Sequence, residues 1–219
     1  MKDDIYVIGV GPYTAVIIEL AQTCGYEVRG LYHYNDERNG EDFHGVEIIS
    51  SVDSLLATGG DAQGKNFALS MGNNQVRLET AESIVINGGV IPSLIHPLAE
   101  VSPSATIEEG VILKRNVAVQ AKATIKKFSI VCDNSLICHH SIINEGCFVA
   151  GLCVVGAYLT LGRGVFIGQG AIVPSGKASS LGCFSSVGAG SVVIKDVAKY
   201  EVVAGNPARI LRKNEFHDS

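Results

Sequence analysis

Hydrophobic positions follow two different grammars along this chain, and the second half has the stricter one. Every sixth residue from Ile95 to Val173 is aliphatic, fourteen in succession: Ile95, Val101, Ile107, Leu113, Val119, Ile125, Val131, Ile137, Ile143, Val149, Val155, Leu161, Ile167 and Val173. The series slips by two residues and resumes at Leu181, Val187 and Val193. Four residues behind it runs a mostly small series: Ala105, Val111, Val117, Ala123, Ser129, Ser135, Ser141, Cys147, Cys153, Val165 and Ala171, with only Leu159 bulky. Neither a 3.6-residue helix nor a two-residue strand alternation produces a strict six, so this is a hexapeptide repeat. Each hexad reads as a short strand plus a corner. The aliphatic residue points into a narrow prism, and the small one lets the next strand approach. About three hexads close one coil, and each coil buries its neighbour's face. The two-residue slip cannot enter the prism without breaking register, so it is expected to bulge outward as a loop carrying Ser175-Gly-Lys177.

Before Ile95 the pattern alternates strand and helix. Ile5–Ile8 reads as a short buried strand ending in Gly9-Val-Gly11-Pro-Tyr13, after which Thr14 is placed to cap a helix carrying Val16, Ile17, Leu20 and Ala21. Gly25 stops that helix. Strands follow over Tyr26–Tyr32, Val46–Ile49 and Asn66–Met71, the last ending in Gly72-Asn73-Asn74, with helices over Val52–Ala57 and Gln75–Ile84. Glycines at strand ends predict a small parallel α/β sheet. The boundary falls between Ile91 and Pro97. At the far end, Tyr200 to Lys213 closes the chain with a turn at Gly205-Asn206-Pro207 and a basic run.

Composition narrows the function classes. The chain has 219 residues, 47% of them hydrophobic, with a net charge of −5; its mean hydropathy is +0.27 and its pI near 5.7. A filled core is expected, and nucleic acid is not the expected main partner. No apolar run approaches the length of a membrane span, and the amino end lacks the shape of a signal peptide. The six cysteines form no CxxC pair or disulfide-like framework, with Cys147 and Cys153 in the small inward series, which fits a reducing, cytoplasmic setting. Gly9-x-Gly11 lacks the third glycine of a dinucleotide fingerprint, and His33-Tyr34 stands where an acid would close the second strand. The loop is therefore either an ordinary strand-to-helix turn or a ligand loop, and NAD is not expected. His139 and His140 occupy a corner of the hexad Ile137–Ile142, so both project from the prism. They are either solvated corner residues or a general base for an amine or hydroxyl.

The residues carry a resemblance. Ile5 to Gly11, Gly72-Asn-Asn-Gln-Val-Arg77, Leu94-Ile-His96, Val101-Ser-Pro-Ser-Ala105, Ile137-Cys-His139, Val187-Gly-Ala-Gly-Ser191 and Ala204-Gly-Asn-Pro-Ala-Arg209 span almost the whole chain. With them it resembles the bacterial sugar acyltransferases of the sialic acid O-acetyltransferase type. That group includes acetyl-CoA-dependent N-acetyltransferases of nucleotide-linked amino sugars. The resemblance implies a Rossmann-like domain over 1–94 that binds the sugar or nucleotide sugar. It implies a left-handed parallel β-helix acetyltransferase domain with its tail over 95–219, and a homotrimer with active sites between neighbouring helices. The family's base falls on His139. The acid that follows it, which raises its basicity, is here His140, and the preceding Glu is Cys138. Acetyl-CoA contacts fall on Gly156 and Ala157 and on Gln169 and Ala189, positions that could equally be simply tight hexad corners. Phe148 replaces a cofactor-contacting histidine. Lys177, Arg209, Arg212 and Lys213 are placed to meet the cofactor's phosphates, or to form a solvated basic tail. On the sugar side, the loop Gly-x-x-Gly-His becomes Gly9, Gly11 and Tyr13 with Pro12 between, the paired acids become His33 and Tyr34, and Gly72 is retained.

The leading expectation is an acetyl-CoA-dependent transfer to the amine of an amino sugar in glycan biosynthesis, without a metal. Sugar or sialic acid O-acetylation is the alternative within the class, and a non-catalytic β-helix scaffold the alternative outside it. A zinc carbonic anhydrase on the same fold needs three converging histidines, and His139 and His140, being adjacent, cannot easily chelate one ion together.

Overall fold

The computed structural model describes residues 2–57 and 60–214. The chain divides into two compact units, Met1–Leu94 and Ile95–Ser219. The first unit is a Rossmann-like α/β layer, the second a left-handed parallel β-helix.

In the first unit, strands β1 (Asp4–Ile8), β2 (Glu27–His33), β3 (Asp42–Phe43), β4 (Val46–Ser51) and β5 (Phe67–Leu69) form one sheet in the order β3-β4-β2-β1-β5. All pairs are parallel except β3 with β4, a small edge hairpin turning through His44 and Gly45 at positive φ. The hydrophobic pattern did not announce that hairpin, since β3 is only two residues long. The sheet's Ile5, Val7 and Ile8 are buried, as are Ile17, Ile18 and Leu20 of α1 (Thr14–Thr23) and Leu78, Ala81 and Ile84 of α3 (Asn74–Ile86). A short α2 (Val52–Leu56) is capped by Ser51, whose hydroxyl accepts from the Ser54 N–H at 3.1 Å.

Thr14 behaves differently from its sequence expectation. It is the first helical residue, and the capping position is held by Tyr13 without a side-chain bond. The Thr14 hydroxyl is instead buried: it accepts from the Gly11 N–H (2.9 Å), donates to the Gly9 carbonyl (3.1 Å) and lies 2.9 Å from Ser70 Oγ. The hydroxyl therefore fastens the glycine loop to β5 rather than closing the helix end. Asn73 is the true side-chain cap, its Oδ1 accepting from the N–H groups of Gln75 and Val76 at the start of α3.

In the second unit the hexads become two-residue strands in three parallel sheets. Pairs such as Leu136↔Val154 and Ile137↔Val155 set each strand eighteen residues from its neighbour. Inward residues from Leu113 to Val187 are buried almost completely, and Ser129, Ser135, Cys147 and Cys153 fill the small inward positions. Buried Ser129 and Ser135 donate to the Asn144 and Ala150 carbonyls, so their hydroxyls are satisfied. The first three inward residues depart from the pattern: Ile95 is 38% exposed, and Val101 and Ile107 are only half-buried. They belong to the outermost coil, which has a helix coil on one face only.

Corners repeat as strictly as strands. Asn116, Lys122, Phe128, Asn134, His140, Leu152 and Tyr158 all sit in the left-handed region with φ between 56° and 62°. That conformation costs an L-residue about 1–2 kcal/mol. It aims each N–H at the coil below: His140 N–H meets the Ala121 carbonyl at 3.2 Å, and Tyr158 N–H meets the His139 carbonyl at 3.3 Å. Between Val173 and Ser180 the register lengthens, so that Thr160 pairs with Ser180 and Phe166 with Ser186. The two extra residues leave the prism as the outward loop around Ser175–Lys177. The chain ends in an antiparallel hairpin, Glu201–Gly205 with Ala208–Lys213, whose first strand pairs with Ser186–Val187.

Coil-on-coil approach also decides one glycine. A Cβ on Gly156 would lie 2.5 Å from the Val173 carbonyl oxygen and 2.6 Å from the Ser175 nitrogen, both backbone atoms. Gly156→Ala should therefore lower stability by about 1–3 kcal/mol, read as a fall in the denaturation midpoint. An unchanged midpoint would show that the coil spacing is softer than described.

Candidate active site

The nominated residues fall into two groups, one in each unit. In the first unit, Gly9, Gly11 and Tyr13 follow β1, His33 and Tyr34 end β2, and Gly72 follows β5. Because β1 runs parallel to both β2 and β5, with Ile8 opposite Tyr32 and Leu69, all six lie at the carboxyl edge of the sheet. That edge is where open α/β sheets bind ligands. Gly9 is explained by the fold: its φ is +99° and an added Cβ would meet Ser70 Oγ at 2.8 Å. Gly11 and Gly72 have no such requirement, since a Cβ on either meets nothing within 4 Å. His33 is buried, its Nδ1 2.9 Å from Asn35 Oδ1, and its ring lies against Tyr34, which is exposed. Of the residues in the place of the paired acids, Tyr34 is thus the one presented to solvent. A cavity of about 770 Å³ opens among the strand beginnings instead, but there Arg29 pairs with Asp4 (2.8 Å) and Glu27 (2.5 Å), and Lys65 with Asp61. The Arg29 and Lys65 charges there are already matched.

In the second unit, His139, Ala157 and Lys177 line one cavity of about 760 Å³. The hexad places His139 on an exposed corner, and Ala157 follows one coil later. Lys177 arrives on the outward loop. Ser175 of the expected outward loop also lines it, as do Tyr158 and Lys195, which were not nominated from the sequence. Tyr158 stands one coil above His140, a spacing of eighteen that the repeat itself could have supplied. The Ala157 N–H donates to Ser175 Oγ at 2.8 Å, so the loop reaches the coil corner directly. A second cavity of about 410 Å³ shares Ile194, Lys195 and Asp196 with the first and is lined by Arg209. The two cavities adjoin at those residues and together form the candidate groove: His139 and Lys177 line the first, Arg209 the second and Lys195 both, with Asp196 and Glu201 also in the walls.

The remaining nominated residues stand elsewhere on the helix surface. Gln169 is exposed and its carbonyl accepts from Gly190. Ala189 is exposed beside Gly168, whose own Cβ would lie 2.6 Å from the Ala189 nitrogen. Phe148 stacks on Phe166 at 5.7 Å. Neither cavity wall includes Gln169, Ala189 or Phe148.

His139 is closely held. Its backbone N–H donates to Gln120 Oε1 at 3.0 Å, and its ring Nδ1 lies 3.0 Å from His140 Nδ1. The Tyr158 ring meets His139 edge-on at 5.4 Å and stacks on His140 at 4.8 Å and 16°. The partner of the His139 ring is therefore a second imidazole and not a carboxylate. Among the described residues no three or more His, Cys, Asp or Glu side chains converge as a metal site. No described helix is long and apolar enough to cross a membrane.

Comparison with known proteins gives this geometry its class. The PglD N-terminal domain model matches residues 4–84. Over its length the chain is similar to perosamine N-acetyltransferase from Caulobacter crescentus, solved as a histidine-to-asparagine variant with CoA and GDP-perosamine. The identity is 26%, covering 96% of this chain and 97% of that one, with a TM-score of 0.86. It is also similar to the acetyltransferase domain of PglB from Neisseria gonorrhoeae FA1090 in complex with acetyl coenzyme A, at 27% identity, 96% and 100% coverage, and a TM-score of 0.85. WeeI from Acinetobacter baumannii AYE shares the fold at 21% identity, 94% and 99% coverage, and a TM-score of 0.73. The chain is an acyltransferase of the hexapeptide-repeat type.

The loop that carries Lys177 is fastened by Asp196. Its carboxylate accepts from the N–H groups of Ser179 (2.6 Å) and Ser180 (3.1 Å) and from the Ser179 hydroxyl (2.9 Å). These donors, the Ser179 backbone foremost, hold the Asp196 carboxyl below the usual carboxylate range. A depressed folded-state value means the clamp contributes fully above the ordinary carboxylate value near about 4. It is lost as pH falls through the lowered value. Amide exchange at Ser179 and Ser180, corrected for intrinsic rates, should therefore accelerate only on strong acidification, and Asp196→Ala, which removes the accepting oxygens, should show fast exchange already at neutral pH. Slow exchange in that variant would remove Asp196 from this role.

Proposed function

We propose that this chain transfers the acetyl group of acetyl-CoA to the amine of a nucleotide-linked amino sugar in glycan biosynthesis. The observation that carries the reading is the similarity over nearly the whole of both chains to an N-acetyltransferase holding CoA and GDP-perosamine. The groove supports it independently. It joins a basic imidazole at His139 to a row of cations, the arrangement needed by a thioester whose far end carries phosphates.

In the step, the acceptor nitrogen forms a bond to the acetyl carbon, and the carbon–sulfur bond breaks. His139 takes the proton that the nitrogen loses and returns it to the departing thiolate. Ala157 and the 175–177 loop border the reacting end, while Lys177, Lys195 and Arg209 draw the phosphates along the groove. The carboxyl edge of the first unit, with Gly11, Gly72 and exposed Tyr34, is the proposed seat of the nucleotide sugar. The same reading assigns a homotrimer in the cytoplasm. Outward apolar side chains on the helix faces, Ile142, Phe166 and Ile172 among them, give subunits a surface to share.

With acetyl-CoA and GDP-, UDP- or dTDP-linked 4-amino sugars, the protein should release free thiol and add one acetyl group to the sugar. His139→Ala should lower turnover by about 10²-fold or more, with the acetyl-CoA thermal shift preserved. Lys177→Ala should weaken acetyl-CoA binding, and the deficit should shrink as salt rises. If none of these acceptors is acetylated while acetyl-CoA still binds, the amine assignment fails. If acetyl-CoA does not bind, the transferase reading fails with it.

A further inference from the structure

The ring contact between His139 and His140 has chemical content that neither residue has alone. The Nδ1 atoms are 3.0 Å apart, and two ring nitrogens at that distance bond only when one carries a proton and the other does not. Two arrangements are available to the neutral pair. In one, His139 Nδ1–H donates to His140 Nδ1, leaving the His139 Nε2 lone pair unprotonated. In the other, His140 donates, the proton of His139 sits on Nε2, and no base is available there.

We propose that His140 is a positioning residue that accepts the Nδ1–H of His139 and so keeps His139 Nε2 as the basic atom. An imidazole does here, by geometry alone, what an orienting carboxylate does in a charged pair. The claim rests on the reading of His139 as the base. Three contacts hold the acceptor ring in place. The His140 backbone sits in the left-handed corner at φ 58°, its N–H bonded to Ala121. The Tyr158 ring covers the imidazole face, 4.8 Å away and 16° from parallel. The rings of His139 and His140 meet at 89°, so the edge of one faces the other. When His139 Nε2 gains the acceptor's proton, its Nδ1–H remains bonded to His140. The proton moves from the amine to Nε2, and His140 changes no bond.

The corner itself supplies clean variants. Phe128 and Phe184 occupy equivalent left-handed corners at φ 60° and 53°, so His140→Phe suits the backbone, and it keeps a ring against Tyr158 but offers no acceptor. His140→Asn, a residue that also holds such corners at Asn116 and Asn134, restores an accepting oxygen. The experiment is ¹⁵N–¹H correlation spectroscopy of histidine-labelled free protein, at a pH where both rings are neutral. His139→Ala assigns the signals, and acetyl-transfer kinetics run in parallel. The wild type should show His139 as the Nδ1–H tautomer. His140→Phe should lose that signature and drop kcat by about 10–100-fold, with the KM for acetyl-CoA within about twofold of the wild type. His140→Asn should recover both the signature and most of kcat. An Nε2–H tautomer at His139 in the wild type overturns the proposal. So does a His140→Phe variant with unchanged tautomer and turnover. If the wild type transfers no acetyl group, the enzymatic reading has failed, yet the tautomer in the free protein still decides the role of His140.

Discussion

Stacking of one aliphatic side chain per hexad on its counterpart eighteen residues away is the interaction on which the rest of this structure depends. Each buried valine, leucine or isoleucine contributes about 1.5–3 kcal/mol, and the prism is too narrow to admit a misplaced one. The register is therefore fixed coil after coil. Once it is fixed, the corners are fixed, and with them the backbone bonds that tie each left-handed corner to the coil below. The two residues that break the count have nowhere to go but outward. Their loop then meets a corner that the register has already placed, through Ala157 and Ser175. The geometry of the candidate site is a by-product of core packing.

That dependence explains what could be read from the chain before its structure. A position that repeats every six residues declares the strands, the inward face and the outward slip, because one physical demand recurs at every coil. It also declares which cysteines and serines are packing groups. What it hides are contacts between residues with no shared periodicity. The clasp of Asp196 on Ser179 and Ser180 is one, and the fastening of Gly9 by Thr14 and Ser70 is another. The hairpin at Asp42–Phe43 is too short to carry a hydrophobic pattern, and the His44-Gly45 turn is its one local sign. Tyr158 lies between these cases. Nothing marks it locally, but counting one coil forward from His140 reaches it.

Glycine shows how far the residues of a motif can be separated by cause. Gly9 and Gly156 are demanded by the fold, since a methyl group on either would strike protein atoms. Gly11 and Gly72 meet no such obstacle, though they sit within the same motifs. The sequence treats all four alike. Only the packing distinguishes glycines that shape the protein from glycines that leave room for something else. The imidazole pair separates in the same way. As sequence, a second histidine in the place of an acid reads as a loss, because it carries no negative charge. As structure, it places a ring nitrogen within bonding distance of the His139 ring and surrenders only the charge.

The central claim is that the groove from His139 to Arg209 is where the thioester lies. A crystal structure of this protein with CoA tests it most directly. The account predicts the thiol sulfur beside the His139 ring, bordered by Ala157 and the Ser175–Lys177 loop, with the phosphates reaching the cations of the groove. CoA bound on another face of the helix, with its sulfur remote from His139, would contradict it.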